Sequence, residues 1–374
     1  MPWHEVTRMS LRYEFITLAQ VKGCNFSRLC HRFGISRKTG YKWIARYHAV
    51  GVEGLADHSR RPRCSPGKTS SEMERAVREI RTRHTAWGGR KIARRLRDLG
   101  WQTVPSASTI TAILRRTGHI APEESSRHQP WKRFEAAAPN DLWQMDFKGH
   151  FEIPGGRCHP LTALDDHSRF SLRLQACTDE THITVQGHLI DMFRRYGLPR
   201  QMLFDNGPPW GSNAEHPYTL FTVWLMRLRI GVIHSRPHHP QTMGKEERFH
   251  RTLKAEVLQY CTGEALDVCQ ERFDAWREVY NLYRPHEALG MAVPASRYCL
   301  SSRQFPETLP PIEYGPDDQV RKVQQGGMLN YRGRAFRISK AFYGQPVALR
   351  PTQIDGIFEV FFCNQKITHV DLRK

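Results

Sequence analysis

Three acidic side chains carry the most informative chemistry of this chain: Asp146 in Trp-Gln-Met-Asp-Phe, Asp205 in Leu-Phe-Asp-Asn-Gly, and Glu247 in Gly-Lys-Glu-Glu-Arg-Phe-His. The first two sit on or just after short apolar stretches of strand type, and the third opens an amphipathic helical run. Two carboxylates from neighbouring strands and one from a helix can converge on one point. Such a cluster carries too much negative charge to stay bare, and its hard oxygen donors suit Mg²⁺ or Mn²⁺. Two such ions about 3.5–4 Å apart form a clamp for in-line phosphoryl transfer. The order Asp, Asp, Glu points to polynucleotide strand transfer, which needs no Ser or Tyr nucleophile.

Holding three acids together takes an α/β scaffold, and from about Asn140 the pattern supplies one. Residues 143–151, 159–165 and 170–176 read as antiparallel strands, joined by Pro154-Gly155-Gly156 and Asp166-His167-Ser168. A helix over 181–196 is ended by Gly197-Leu198-Pro199, and 201–204 is a short buried strand. A helix over 218–228, a strand over 230–235 and helices over 245–261 and 265–283 follow. Three antiparallel strands, then helix–strand–helix–strand–helix, is the order of a ribonuclease-H-like fold. Asp165 and Asp166 are expected to shape the turn before Ser168, and Trp276, Tyr280 and Tyr283 to pack in a core or against a partner helix.

The third acid is ambiguous because Glu246 precedes Glu247. Helical phase separates them. Glu246 lines up with Phe249, Leu253, Val257 and Tyr260, whereas Glu247 falls with His250, Arg251 and Lys254 on a polar face suited to metal and phosphate. Glu247 is therefore the expected ligand. Lys245, Arg248, Arg251 and Lys254 are candidates to position DNA phosphates beside the metals. His234, His238, His239 and His250 match no familiar zinc spacing.

The 374 residues carry a net charge of +19, unevenly placed. Residues 1–130 hold 25 Lys/Arg against 10 Asp/Glu, and the remaining 244 hold 31 against 27. A surplus packed into one third of the chain reads as a polyanion-binding module with salt-sensitive affinity for nucleic acid. Within it, Phe26, Leu29, Cys30 and Phe33 keep helical spacing, Gly34 breaks it, and Ser36 can cap a helix over 37–47. This is a helix–turn–helix whose second helix presents Arg37, Lys38, Thr39, Tyr41 and Lys42 near its start, with Trp43 and Ile44 packing back. Arg60, Arg61 and Arg63 lie in a basic Pro-containing linker, either a minor-groove arm or a solvated tether. A second helix–turn–helix follows: Ser71 caps a helix to Thr85, a basic helix over 91–99 carries Arg94 and Arg95, and a helix over 109–116 offers Thr109, Thr111, Arg115 and Arg116.

After a Pro-rich linker at 305–316, short strands around 320–323, 327–331, 334–338, 346–350 and 357–362 suggest a small β-barrel with nothing catalytic in it. Nine scattered cysteines without a C-x-x-C pair argue against a disulfide framework and for a reducing compartment. No signal layout or membrane-length apolar run is visible, so the expectation is a soluble cytoplasmic protein, nucleoid-associated when bound to DNA.

Taken together, Trp-Gln-Met-Asp-Phe-Lys-Gly (143–149), Leu-Asp-Asp-His-Ser-Arg (164–169), Tyr-Gly-Leu-Pro (196–199), Asp-Asn-Gly (205–207), His-Pro-Gln-Thr-Met-Gly-Lys-Glu-Glu-Arg-Phe-His-Arg-Thr-Leu-Lys (239–254) and Tyr-Asn-Leu-Tyr-Arg-Pro-His-Glu-Ala-Leu-Gly (280–290) closely resemble one family. It is the bacterial insertion-sequence transposases of the DDE type, with a retroviral-integrase-like catalytic core. The resemblance covers 140–300, and the N-terminal modules are of the family's type. It implies Asp146, Asp205 and Glu247 as a triad holding two Mg²⁺ or Mn²⁺ ions. It also implies hydrolysis that frees a 3′-OH at the element's inverted-repeat end, attack of that hydroxyl on target DNA, and a homo-oligomer. The chain departs from the pattern in three places: Glu246 stands where an aliphatic residue is usual, Met243 where Asn is frequent, and the 41-residue gap between Asp205 and Glu247 is somewhat long.

The expected layout is a helix–turn–helix domain at 1–56, a basic linker at 57–70, a second helix–turn–helix domain at 71–120 and a connector at 121–139. An α/β ribonuclease-H-like DDE core at 140–300 and a small β-barrel at 317–374 complete it. Two rivals are a DNA-binding regulator that has lost catalysis and a nuclease that cuts without joining.

Overall fold

Local capping and close packing set the first element boundaries of the computed structural model, which describes residues 8–57, 67–120, 135–211, 218–235 and 244–373. The chain forms two compact units, Met1–Lys68 and Thr69–Lys374. In the first, α1 (Arg8–Ala19), α2 (Phe26–Arg32) and α3 (Arg37–Val50) surround Phe15, Ile16, Leu29, Cys30, Trp43 and Leu55. Asn25 and Ser36 cap α2 and α3 by accepting from the amides of Arg28 and Thr39, each cap contributing about 1 kcal/mol. Gly34 makes the turn with φ 63°, and Gly40 lets α3 press onto its neighbours: a Cβ there would lie 2.8 Å from Cys30 Sγ and from the Phe26 ring.

The second unit begins with α4 (Ser71–Arg83), α5 (Gly89–Asp98) and α6 (Ala107–Arg116), packed through Met73, Val77, Trp87, Ile92, Leu96, Ile110 and Leu114. Ser70, not Ser71, caps α4, its hydroxyl accepting from the Met73 amide. Ser71 stands one residue too late for that bond and is the first helical residue.

The central sheet comprises β1 (Leu142–Phe147), β2 (Phe151–Ile153), β3 (Gly156–Asp165), β4 (Ser171–Cys177), β5 (Gln201–Phe204) and β6 (Gly231–His234). β3 pairs antiparallel with β1, β2 and β4, while β1–β5 and β5–β6 are parallel. Helices α7 (His182–Tyr196) and α8 (Leu220–Arg227) pack with Trp143, Met145, Leu161 and Ala163. Helices α9 (Gly244–Glu256) and α10 (Leu266–Leu282) pack with Cys158, Leu164, Leu174 and Ala176. Strand alternation therefore puts Asp146 on the α9 face, next to the buried Met145 that points the other way. Mixed strand pairing with helices on both faces is the ribonuclease-H-like core that the element order predicts.

The small β-barrel expected at the C-terminus is built as a small sheet domain. β7 (Gln319–Lys322), β10 (Pro346–Pro351), β11 (Ile357–Phe362) and β12 (Gln365–Asp371) form an antiparallel sheet in the order β12-β11-β10-β7. β8 (Met328–Tyr331) and β9 (Arg334–Arg337) make a separate hairpin. Gln365 ties this domain to β6, accepting from the Val232 amide at 3.0 Å and donating to its carbonyl at 2.9 Å.

Candidate active site

Asp146 is the fifth residue of β1, and Asp205 follows β5 directly. The two strands are parallel neighbours with Gln144 opposite Leu203, so the acids sit level with each other two residues further on. The Phe147 amide donates to Asp146 Oδ1 at 2.8 Å, and the Gly207 amide donates to Asp205 Oδ1 at 3.1 Å. His234 Nδ1 meets the Asp205 carbonyl at 2.9 Å, and Asn206 Nδ2 donates to the Ser235 carbonyl at 2.8 Å. These bonds pin the loop after β5 against β6.

Burial, then the charge of Asp205, pushes the Asp146 carboxyl up to about 7. Burial also raises Asp205 above the usual carboxylate range. Two adjacent carboxylates held under these conditions need a cation or a proton. As hard, half-buried oxygen donors they fit a divalent ion. Among the described residues, no three His, Cys, Asp or Glu side chains are grouped to hold a metal.

Helix α9 brings Glu246, rather than Glu247, into contact with this edge. Glu246 is 1 % exposed, and its Oε2 lies 3.1 Å from Thr162 Oγ1. Its Oε1 has no hydrogen-bond partner among the described residues. Burial, then the charge of Asp146, raises its carboxyl well above the ordinary range. Glu247 is exposed. His250, which helical phase groups with Glu247, Arg251 and Lys254, is not exposed with them. His250 is buried, with Nε2 2.7 Å from Thr162 Oγ1 and Nδ1 3.9 Å from Asp146 Oδ2. Burial, then Lys148, lowers the imidazole to about 3, so it is neutral at physiological pH and neither carboxylate contact is an ion pair.

Asp165 and Asp166 shape the loop before β4 and also fasten it to its surroundings. Asp165 Oδ1 accepts from the Ser168 amide and hydroxyl, and Oδ2 from the Asn140 amide at 2.7 Å. Asp166 Oδ1 accepts from Gln144 Nε2 at 2.6 Å, and Oδ2 pairs with Lys245 Nζ. Lys245 thus joins α9 to this loop, while Arg248, Arg251 and Lys254 lie on the exposed face of α9. Trp276 and Tyr280 are buried, and Tyr283 is partly exposed beneath a guanidinium.

The remaining candidate cations divide by environment. On α3, Arg37, Lys38, Tyr41 and Lys42 are exposed, with Tyr41 against the Phe26 ring at 4.4 Å and Lys42 over Trp43 at 4.4 Å. Thr39 is half-buried and its hydroxyl bonds Ser36. On α5, Arg94 pairs with Asp98 at 2.8 Å and Arg95 lies over the Tyr283 ring at 5.0 Å. On α6, Arg115 is exposed and Arg116 pairs with Glu74 at 2.6 Å. Arg60, Arg61 and Arg63 lie outside the described residues, as do His238 and His239. Sequence reasoning did not single out Thr162, whose role depends on facing Asp146 across the sheet.

Integrase core domain families match residues 136–240 and 228–294. A helix-turn-helix domain matches 11–63, a homeodomain-like domain matches 39–114, and the IS481 family transposase C-terminal domain matches 318–374. The chain is a homologue of insertion-element proteins and retroviral integrases. One such homologue is the insertion element IS476 uncharacterized 39.2 kDa protein of Xanthomonas euvesicatoria, 25 % identical over 271 residues, covering 71 % of this chain and 75 % of that protein. Another is the Gag-Pro-Pol polyprotein of Mason-Pfizer monkey virus, 34 % identical over 126 residues. That match spans 34 % of this chain and only 7 % of the polyprotein. Among solved structures, the magnesium-bound catalytic core domain of HTLV-2 integrase aligns with TM-score 0.33 at 16 % identity, covering 43 % of this chain and 97 % of that one. The simian T-cell lymphotropic virus intasome aligns with TM-score 0.38 at 15 % identity, covering 79 % and 96 %. Helix-turn-helix domains joined to an integrase core support DNA-binding transposition and polynucleotidyl-transferase-type activity. Among the described residues, no helix is long and apolar enough to cross a membrane.

Proposed function

We propose that this homologue is an active DDE transposase. It binds the inverted-repeat ends of its element and transfers their 3′-OH ends into target DNA. The observation that carries this reading is the level placement of Asp146 and Asp205 on adjacent parallel strands, with α9 packed beside them. Asp146, Asp205 and Glu247 are assigned to hold Mg²⁺ or Mn²⁺. Divalent ions bound there would lower the pKa of the attacking water or 3′-hydroxyl and neutralise the leaving oxygen. The protein's part is to hold the two aspartates through the amides of Phe147 and Gly207, and to hold α9 through the Lys245–Asp166 pair. Arg248, Arg251 and Lys254 position phosphates from the exposed face of the same helix. Transfer of two ends calls for a homo-oligomer, and the substrate places the protein on the bacterial nucleoid.

A second reading makes Glu246 the third acid. Its favouring observation is the buried, unpartnered Oε1 beside Asp146. Strand transfer of a labelled element-end duplex into plasmid with Mg²⁺ or Mn²⁺ tests both readings. Joined product lost in Glu247→Gln and kept in Glu246→Gln supports Glu247, and the reverse supports Glu246. Binding without cleavage by the wild type would move the protein to a DNA-binding regulator. Cleavage without joining would make it a nuclease.

A further inference from the structure

The strand beside the Asp205 loop is gripped from the C-terminal sheet domain. β6 stands at the edge of the central sheet, with β5 on its inner side. The Gly231 amide donates to the Arg200 carbonyl at 2.8 Å, and the Ser235 amide donates to the Phe204 carbonyl at 2.9 Å. Strand pairing turns alternate residues to opposite sides, so the amide and carbonyl of Val232 face away from β5. Val232 is buried, where unpaired main-chain groups are costly. The Gln365 side chain meets both groups, accepting from the amide at 3.0 Å and donating to the carbonyl at 2.9 Å. One side-chain amide thus does at this position what a further strand would do.

Two residues along β6, His234 Nδ1 lies 2.9 Å from the Asp205 carbonyl. A carbonyl only accepts, so Nδ1 carries the proton. His234 Nε2 is buried with no hydrogen-bond partner among the described residues. The other end of the ring is therefore not tied elsewhere among them. β12 also reaches the residue that leads into α8. The Tyr218 hydroxyl donates to the Ile367 carbonyl at 3.2 Å, and its ring meets Phe342 edge-on at 5.1 Å. Gln365 itself is well fixed, paired with Phe362 across the β11–β12 turn, where the Cys363 amide donates to the Tyr314 hydroxyl at 3.3 Å.

We propose that Gln365 is a positioning residue for the metal-binding centre: through Val232 and His234 it sets where Asp205 stands. The C-terminal sheet domain then shapes the site without supplying an acid to it. The inference rests on the reading that makes Asp205 a metal ligand. Outer contacts of this kind matter because a ligand must be held within a fraction of an ångström of its productive place.

The test uses the full-length protein as wild type, Gln365→Leu, His234→Phe and the double variant. Two quantities are followed: the Mg²⁺ concentration for half-maximal strand transfer at saturating duplex, and the rise in melting temperature that Mg²⁺ produces without DNA. In Gln365→Leu the half-maximal concentration should rise on the order of tenfold, the low end for loss of a group that orients a metal ligand. The Mg²⁺-induced rise in melting temperature should shrink with it, while duplex affinity without metal stays that of the wild type. Adding Gln365→Leu to His234→Phe should change neither quantity further, because the link is already cut. An unchanged Mg²⁺ response in Gln365→Leu overturns the inference, and a lowered melting temperature beside it would leave Gln365 a docking contact only. Additive effects of the two substitutions would overturn it as well. If the leucine variant does not fold, Gln365→Glu gives the same comparison, because it keeps an acceptor for the Val232 amide and loses the donor. A wild type that joins no ends yet melts higher with Mg²⁺ sinks the transposase reading, and the melting comparison then decides the role of Gln365 by itself. A wild type whose melting ignores Mg²⁺ overturns both.

Discussion

Thr162 stands directly opposite Asp146 across the β1–β3 pair, and its hydroxyl donates to the Asp146 carbonyl at 2.9 Å. The same oxygen meets His250 Nε2 at 2.7 Å and Glu246 Oε2 at 3.1 Å. One strand hydroxyl therefore links the main chain of the first aspartate to two buried side chains of α9. The distance between that aspartate and the helix carrying the candidate third acid is set partly by this hub.

Thr162→Val keeps the β-branched shape that suits a strand and deletes the hub. Two buried polar groups then lose their common partner, costing about 1–3 kcal/mol. Urea denaturation should show that loss, with much of it recovered in Thr162→Ser. Strand transfer should fall in the valine variant as α9 loosens. A valine variant as stable and as active as wild type would remove the hub from the argument.

The Asp146 carboxyl, raised to about 7, binds its proton more tightly in the folded than in the unfolded protein. Its favourable contribution is full below the unfolded pKa and is lost as pH rises through about 7. At pH 8 the metal-free protein therefore carries an unrelieved charge. Asp146→Asn should raise metal-free stability there, on the order of 2 kcal/mol after allowance for partial exposure. The gain should shrink toward pH 5. Mg²⁺ should stabilise the wild type at pH 8 and Asp146→Asn much less. Equal melting of the two proteins at pH 8 without metal would contradict this account.

Much of this architecture could be read from local pattern. The strand Gln201–Phe204 has the boundaries its short apolar run suggests, and Ser36 caps α3 where a hydroxyl precedes the helix. Helical phase puts Glu246 in line with Phe249, Leu253 and Val257, and all four are buried. Tyr260 shares that phase in the sequence yet is 51 % exposed, because α9 ends at Glu256 and a 3₁₀ turn at Leu258–Tyr260 breaks the phase. β12 is hidden in the sequence because few of its residues are apolar. Glu246 meets Thr162 across 84 residues of chain, a partnership set by strand register and helix docking rather than spacing. The acid stretches are legible for the same reason the strands are. The polar contacts beneath them exist only once the elements pack.

Gly40 offers a test of the first unit by itself. A methyl group there would lie 2.8 Å from Cys30 Sγ and from the Phe26 ring, with Phe15 at 3.0 Å. Overpacking of this kind costs about 1–3 kcal/mol. Gly40→Ala should lower the melting temperature of an isolated 1–68 fragment and weaken its binding to any duplex. Retention of both would mean that the three helices tolerate a wider separation.

Base reading and phosphate anchoring should separate between the two helical modules. Arg37 and Lys38 stand exposed at the start of α3, with no carboxylate partner for either among the described residues. Arg94 and Arg95 are engaged by Asp98 and Tyr283. Alanine at Arg37 and Lys38 should therefore shrink the affinity ratio between element-end and scrambled duplex, by about 1–3 kcal/mol for each base edge no longer read. Alanine at Arg94 and Arg95 should weaken both duplexes alike and lower the salt slope. Anisotropy on the two duplexes at matched salt distinguishes these outcomes. If both pairs of substitutions change the ratio equally, α3 is not the reading helix and its exposed cations serve only to hold the backbone.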